Sequence, residues 1–166
     1  MVSVCAGHGL DLLGVLRNRT DAGRVRAALV ELDPRNVEIA RQNAAGIDAD
    51  ITVLEADAGD RSTYRSLVPA DLVVLVGVLG NITADDVEAT VRALPELCNP
   101  HATVIWTRTR KLPDLTPAVR RWLADTGFSQ QAFDAPDAFH FTVGVHELTE
   151  PPRPLGDYGR LFTFVR

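Results

Sequence analysis

Five short apolar runs alternate with segments of helical period, and this alternation narrows the possible folds more than any other feature of the chain. The runs are Val2 to Cys5, Val25 to Leu32, Ile51 to Leu54, Asp71 to Gly77 and Ala102 to Thr107. Leu72-Val73-Val74-Leu75-Val76 is apolar without a break, as a strand covered on both faces requires. Five strand–helix alternations predict an α/β domain with a mostly parallel sheet between two helical layers. Further strand-like segments are Phe128 to Phe133, Phe139 to Leu148 (which also reads as irregular) and Leu161 to Val165. Glu150-Pro151-Pro152-Arg153-Pro154 is predicted to be irregular, because proline removes donors and fixes φ.

The intervening segments carry helix signals. Leu12, Leu13 and Leu16 give a short helix one apolar side. Asp33-Pro34 suits a cap followed by a first helical residue, with Val37, Ala40 and Ala44 on one face. Thr83-Ala84-Asp85-Asp86 resembles a capping box before Val87, Val91 and Leu94. Thr116-Pro117 opens a helix with Val119, Trp122 and Leu123, and Gly127 is its predicted stop. Ser62 to Leu67 is a weak helix.

A chain of 166 residues suggests one domain, residues 1–166, large enough to bury a core without staples. With 46% apolar and 23% charged residues it has an ordinary globular composition. The net charge of −5, with acids and bases interspersed, argues against a nucleic-acid or membrane surface. Cys5 and Cys98 lie far apart, and no Cys/His cluster is present, so neither structural zinc nor any other metal is predicted. The same cysteine usage points to a reduced, cytoplasmic setting. No apolar run approaches a membrane span of about 20 residues, and the first residues do not read as a signal peptide.

In such a sheet ligands bind at the carboxyl ends of the strands. Four loops fall there: Cys5–Asp11, Glu31–Asp33, Asp57–Ala58 and Gly77–Asn81. The turn Cys5-Ala6-Gly7-His8-Gly9 lets backbone approach a ligand closely. Glu31, at the tip of the second strand, can accept from ribose hydroxyls, whereas Asp33 is better placed as a helix cap. Asp57 can accept from an adenine amino group while the Ala58 amide donates to a ring nitrogen; alone, an Asp in a loop is a turn residue. Leu12 occupies the third glycine position of the dinucleotide fingerprint, which disfavours a nicotinamide or flavin.

These loops, in this order, resemble the class I S-adenosylmethionine-dependent methyltransferases. Val2-Ser3-Val4-Cys5-Ala6-Gly7-His8-Gly9 resembles that family's first motif, with Ser3 at an acidic position and Cys5 at the first glycine. Glu31 matches its ribose-binding acid, Asp57-Ala58 its adenine-contacting pair, and Ala70 to Asn81 its fourth-strand motif. The wording CAGHGLDLLGVL…LVELDP…GVLGNI also resembles uncharacterised actinobacterial-type methyltransferases. The resemblance implies a three-layer Rossmann-like sandwich with a seven-stranded sheet in the order 3-2-1-4-5-7-6 and an antiparallel strand near the C-terminal end. It implies S-adenosyl-L-methionine as cofactor, S-adenosyl-L-homocysteine as product and a small-molecule acceptor. The implied cofactor-binding residues are Cys5, Ala6, Gly7, His8, Gly9, Glu31, Leu32, Asp57, Ala58 and Gly77, with Asn81 as the candidate catalytic residue. The family places helices before its first strand. This chain begins at that strand, so a cofactor-binding domain without its N-terminal cover, inactive alone, is one alternative expectation. A nucleotide-dependent oxidoreductase is the other.

The remaining candidates have plainer expectations. Thr107, Arg108, Arg110 and Lys111 are predicted to form a solvated loop, with binding of an acidic substrate as the alternative. His140 and His146 read as surface or packing histidines, and Cys5 as a small buried residue rather than a nucleophile.

Overall fold

The computed structural model describes residues 1–165. A seven-stranded sheet runs through it in the order β3-β2-β1-β4-β5-β7-β6. The elements are β1 (Val2–Val4), α1 (Leu10–Arg17), β2 (Arg26–Glu31), α2 (Pro34–Ala44), β3 (Asp50–Glu55) and β4 (Ala70–Leu75), then α3 (Ala84–Ala93), β5 (Cys98–Thr109), α4 (Thr116–Asp125), β6 (Phe128–Asp134) and β7 (Phe141–Leu148). β1 to β5 are parallel, and β7 lies antiparallel between β5 and β6. This is the predicted Rossmann-like three-layer sandwich.

The central strands β1, β2 and β4 are largely apolar because both faces are covered, whereas β3 and β6 at the sheet edges carry exposed polar residues. On β2, Ala27 and Leu29 point towards Leu12, Leu13 and Leu16 of α1. Ala28 and Val30 alternate to the other face, in the larger core with Val87 and Val91 of α3 and Val119 and Leu123 of α4. Two helix starts follow the capping chemistry in the sequence. Asp33 accepts the Arg35 amide at 2.9 Å and Thr83 accepts the Asp86 amide at 3.1 Å, each satisfying a donor that the helix leaves unpaired.

Three expectations are corrected. The weak helix at Ser62 to Leu67 is a single 3-10 turn, Arg61–Tyr64. Leu161 to Val165 is not a strand: only Phe164 bridges to Ile82 there, while Leu161 and Phe162 are both buried instead of alternating. This tail fills the layer beside the short 3-10 turn. Thr90 donates to the Leu161 carbonyl at 2.8 Å, and the Leu161 amide donates to Gly59 at 2.7 Å. Third, β5 continues to Thr109, so Thr107 and Arg108 belong to a strand and not to a solvated loop. The strand keeps its alternation, and Ala102, Val104, Trp106 and Arg108 are all buried.

Candidate functional site

The turn after β1 reverses the chain with three residues in the left-handed region: Cys5 (φ 56°), Gly7 (φ 54°) and Gly9 (φ 71°). The two glycines serve different ends. A Cβ on Gly9 would stand 2.6 Å from Leu29 Cδ2 and 2.8 Å from Leu13 Cδ1, so glycine lets α1 close onto β2. A Cβ on Gly7 would meet nothing within 4 Å; it would project into open space above the sheet edge. Cys5 holds a conformation that a side chain adopts at a cost of order 1 kcal/mol or more.

Glu31 ties the first two loops together. Its Oε2 accepts the Gly7 amide at 2.9 Å and its Oε1 accepts the Asp33 amide at 2.9 Å, with Asn36 Nδ2 at 3.4 Å. Each oxygen still has acceptor capacity for a further donor. The side chain is largely buried, and its position is fixed before any ligand arrives. Leu32, beside it, is exposed and offers an apolar surface.

Asp57 stands in the loop after β3. Oδ1 accepts the Gly59 amide at 2.8 Å, and Oδ2 pairs with Arg160 of the C-terminal tail at 2.8 Å. The neighbouring Ala58 carbonyl accepts Tyr64 Oη at 2.7 Å, while the Ala58 amide has no partner among the described residues. Burial, and then the charges of Glu31 and Asp57, push the Cys5 thiol up to about 12. Cys5 is therefore a protonated neighbour of both acids and not a nucleophile. Glu31 has no cation within 4 Å among the described residues, so its charge on this shelf is uncompensated, whereas that of Asp57 is met by Arg160.

His8 Nε2 lies 3.1 Å from Asn36 Oδ1, and Asn43 Nδ2 donates to the His8 carbonyl at 3.0 Å. The ring is thus docked against α2. Gly77 (φ 73°) follows β4; its amide donates to Thr107 Oγ1 at 3.0 Å and its carbonyl accepts Asn81 Nδ2 at 2.7 Å. Asn81 lies exposed beside a concavity of about 570 Å³ bordered by the ends of β4 and β5 and the start of β7. A second concavity, of about 610 Å³, lies at the opposite end of the sheet around Met1, Arg26 and Asp71, away from every predicted site residue. Cys5 to Gly9, Glu31, Leu32, Asp57, Ala58 and Gly77 all fall at the carboxyl edge, and Asn81 lies one turn beyond it. His140 is exposed. His146 is buried and takes no part in the site.

One neighbour of the site carries no sequence signal, and another lies in a strand where a loop is expected. Arg160 reaches Asp57 from 103 positions along the chain, and no local signal marks it. Arg108 is buried beneath the Asn81 concavity, where Nη1 donates to the Leu79 carbonyl. The period-2 pattern from Ala102 onward was the signal that would have placed it there.

No family model matches the sequence, and no curated protein does. Solved structures do match in fold. An O-methyltransferase family protein from Burkholderia thailandensis superposes with a TM-score of 0.69 at 18% identity, covering 94% of this chain and 51% of that one. The [4+2]-cyclase SpnF superposes at 0.67 and 12% identity, covering 93% and 74%. A protein studied for conversion of a disulfide bond into a thioacetal group during echinomycin biosynthesis superposes at 0.64 and 20% identity, covering 89% and 74%. The chain spans about half the length of the Burkholderia protein. At these identities the likeness concerns the fold: a Rossmann-like sandwich that an O-methyltransferase family protein shares with a cyclase.

Proposed function

We propose that the carboxyl edge of the sheet binds S-adenosyl-L-methionine and that the protein transfers its methyl group to a small acceptor, leaving S-adenosyl-L-homocysteine. The observation that carries this reading is the pairing of Glu31 with the Gly7 turn, next to open space where a Gly7 side chain would stand. A pre-positioned carboxylate beside a bare backbone suits a ribose diol, because each hydroxyl finds an acceptor with unused lone pairs. Asp57 and the unpaired Ala58 amide sit one strand further on, spaced for the acceptor–donor edge of an adenine. The exposed face of Leu32 would lie against that ring.

When bound, the cofactor supplies a methyl group already activated by a positively charged sulfur. What remains for the protein is to hold the acceptor in line and exclude water; well-oriented model reactions gain about 7–11 kcal/mol from such positioning. Glu31 favours the cation electrostatically. Asn81, held by the Gly77 carbonyl, stands where a polar side chain can orient the acceptor. No side chain is assigned as general base.

A dinucleotide oxidoreductase fits less well: Leu12 is buried under the sheet where the fingerprint needs a glycine for close packing. Calorimetry separates the two readings. S-adenosyl-L-homocysteine is expected to bind and NAD is not; the reverse result sinks the proposal. The methyl-transfer step is tested by turnover of labelled cofactor across a panel of small acceptors.

A further inference from the structure

We propose that the concavity beside Asn81 is an anion-selective acceptor subsite. It would take a small molecule that carries a carboxylate or phosphate on an apolar body, held by Arg108 and Lys111. Its role as acceptor subsite rests on the methyl-transfer reading above; its preference for an anion does not.

The starting point is Arg108. The residue is 8% exposed, and Nε is fully buried without a partner among the described residues. Only a neutral acceptor, the Leu79 carbonyl, takes one of its hydrogens. No carboxylate pairs with it within 4 Å among the described residues. Asp114, not within 4 Å, is the acid whose charge reaches it, and Asp114 Oδ1 accepts the Thr116 amide at 2.9 Å. Burying a guanidinium without a counter-charge costs several kcal/mol, so such groups are ordinarily paired. A ligand oxyanion in the concavity would provide the missing counter-charge.

The surroundings agree. Lys111 stands exposed on the rim, while Val76 and Phe141 provide apolar walls, both partly exposed. Arg110 adds a second guanidinium nearby, held by the Pro136 and Phe139 carbonyls at 2.6 Å each and with no carboxylate within 4 Å among the described residues. The volume of about 570 Å³ is in the range of small-molecule sites. Gly77 and Asn81 line the same space, so a molecule seated there would adjoin the edge assigned to the sulfonium.

The test uses the full chain, with benzoate, phenyl phosphate and the uncharged benzamide as probes. Each is titrated while backbone amide resonances are followed by NMR. Benzoate and phenyl phosphate are expected to shift Gly77, Gly80, Asn81 and Thr107–Lys111, with benzamide weaker by about tenfold, the scale of a charge-assisted pair. Lys111→Ala should weaken benzoate about threefold, as for an exposed charge. Arg108→Gln should weaken it about tenfold or more. If Arg108→Gln fails to fold, the benzamide comparison and Lys111→Ala decide. Equal affinity for benzoate and benzamide, or shifts confined to other basic regions such as Arg120–Arg121, overturns the subsite. Calorimetry with S-adenosyl-L-homocysteine on the same sample separates the two proposals. Anion preference without nucleoside binding keeps this site and sinks methyl transfer; nucleoside binding without anion preference sinks this site alone.

Discussion

Gly7 and Gly9 show how two glycines in one turn can answer to different constraints. Both have positive φ, so alanine at either position carries a backbone cost of about 1 kcal/mol. At Gly9 the new methyl group must also displace Leu29 and Leu13, which adds about 1–3 kcal/mol of overpacking. Denaturant unfolding should therefore rank Gly9→Ala well below Gly7→Ala in stability. Nucleoside binding should rank them the other way: Gly7→Ala places its methyl group in the open space proposed for the ligand and should abolish S-adenosyl-L-homocysteine binding in calorimetry. Retained affinity would remove the turn from the site. Glu31→Gln is subtler. The amide keeps one acceptor oxygen, so either Gly7 or Asp33 loses its partner, costing about 1–3 kcal/mol of stability. Loss of the charge should weaken nucleoside binding by about 10- to 100-fold, the scale of a hydrogen bond to a charged group. Unchanged affinity would leave Glu31 as a structural tie alone.

Elements whose signals are local were legible, and those fixed by distant partners were not. The caps at Asp33 and Thr83 lie within three residues of the amides they serve, so sequence spacing reveals them. The C-terminal tail is the opposite case. Its apolar residues suggest a strand, yet Leu161 and Phe162 both turn inward, into the core that also holds Tyr64 of the 3-10 turn Arg61–Tyr64. Its anchors are Gly59, Asp86, Thr90 and Asn81, none near it in sequence. If the tail completes the core, Phe162→Ala should cost about 3–5 kcal/mol in denaturant unfolding, as for other large buried aromatics. Arg160→Gln breaks a half-exposed ion pair and the Nε hydrogen bonds to the Phe162 carbonyl and Thr163 Oγ1, and should cost about 1–2 kcal/mol. It also frees Asp57 Oδ2, so affinity for S-adenosyl-L-methionine should rise by about two- to fivefold, within the range of one exposed ion pair. A fall in affinity would mean that Arg160 belongs to the binding surface instead of competing with the ligand.

For the whole molecule, hydrophobic period gave the layers, but strand order came only through family likeness, because periodicity does not say which strand neighbours which. The candidate site was legible where it sits at strand ends, and illegible where assembly brings in a residue from far along the chain, as with Arg160. The same holds for His146. The antiparallel pairing of β5 with β7 brings it beneath Trp106, whose Nε1 donates to His146 Nδ1 at 3.2 Å. Burial first, and the Arg120 charge second, push His146 down to about 4 from its ordinary 6.5. Protonating Nδ1 would also remove the acceptor for Trp106. The unfolded chain therefore takes up a proton below about pH 6.5 that the native protein refuses until about pH 4. The stability that His146 contributes is complete above that window and is lost as pH falls through it, by up to about 1.4 kcal/mol per pH unit. Asp33, held at about 2 chiefly by its hydrogen bond to Arg35, acts only below the ordinary carboxylate value and leaves this window alone. Urea unfolding at pH 7.5, 6 and 5 should show the decline. His146→Gln, which can still accept from Trp106 but cannot titrate, should flatten it. A wild-type profile that is level between pH 6.5 and 5 would mean that the buried ring takes up its proton as readily as in the unfolded chain.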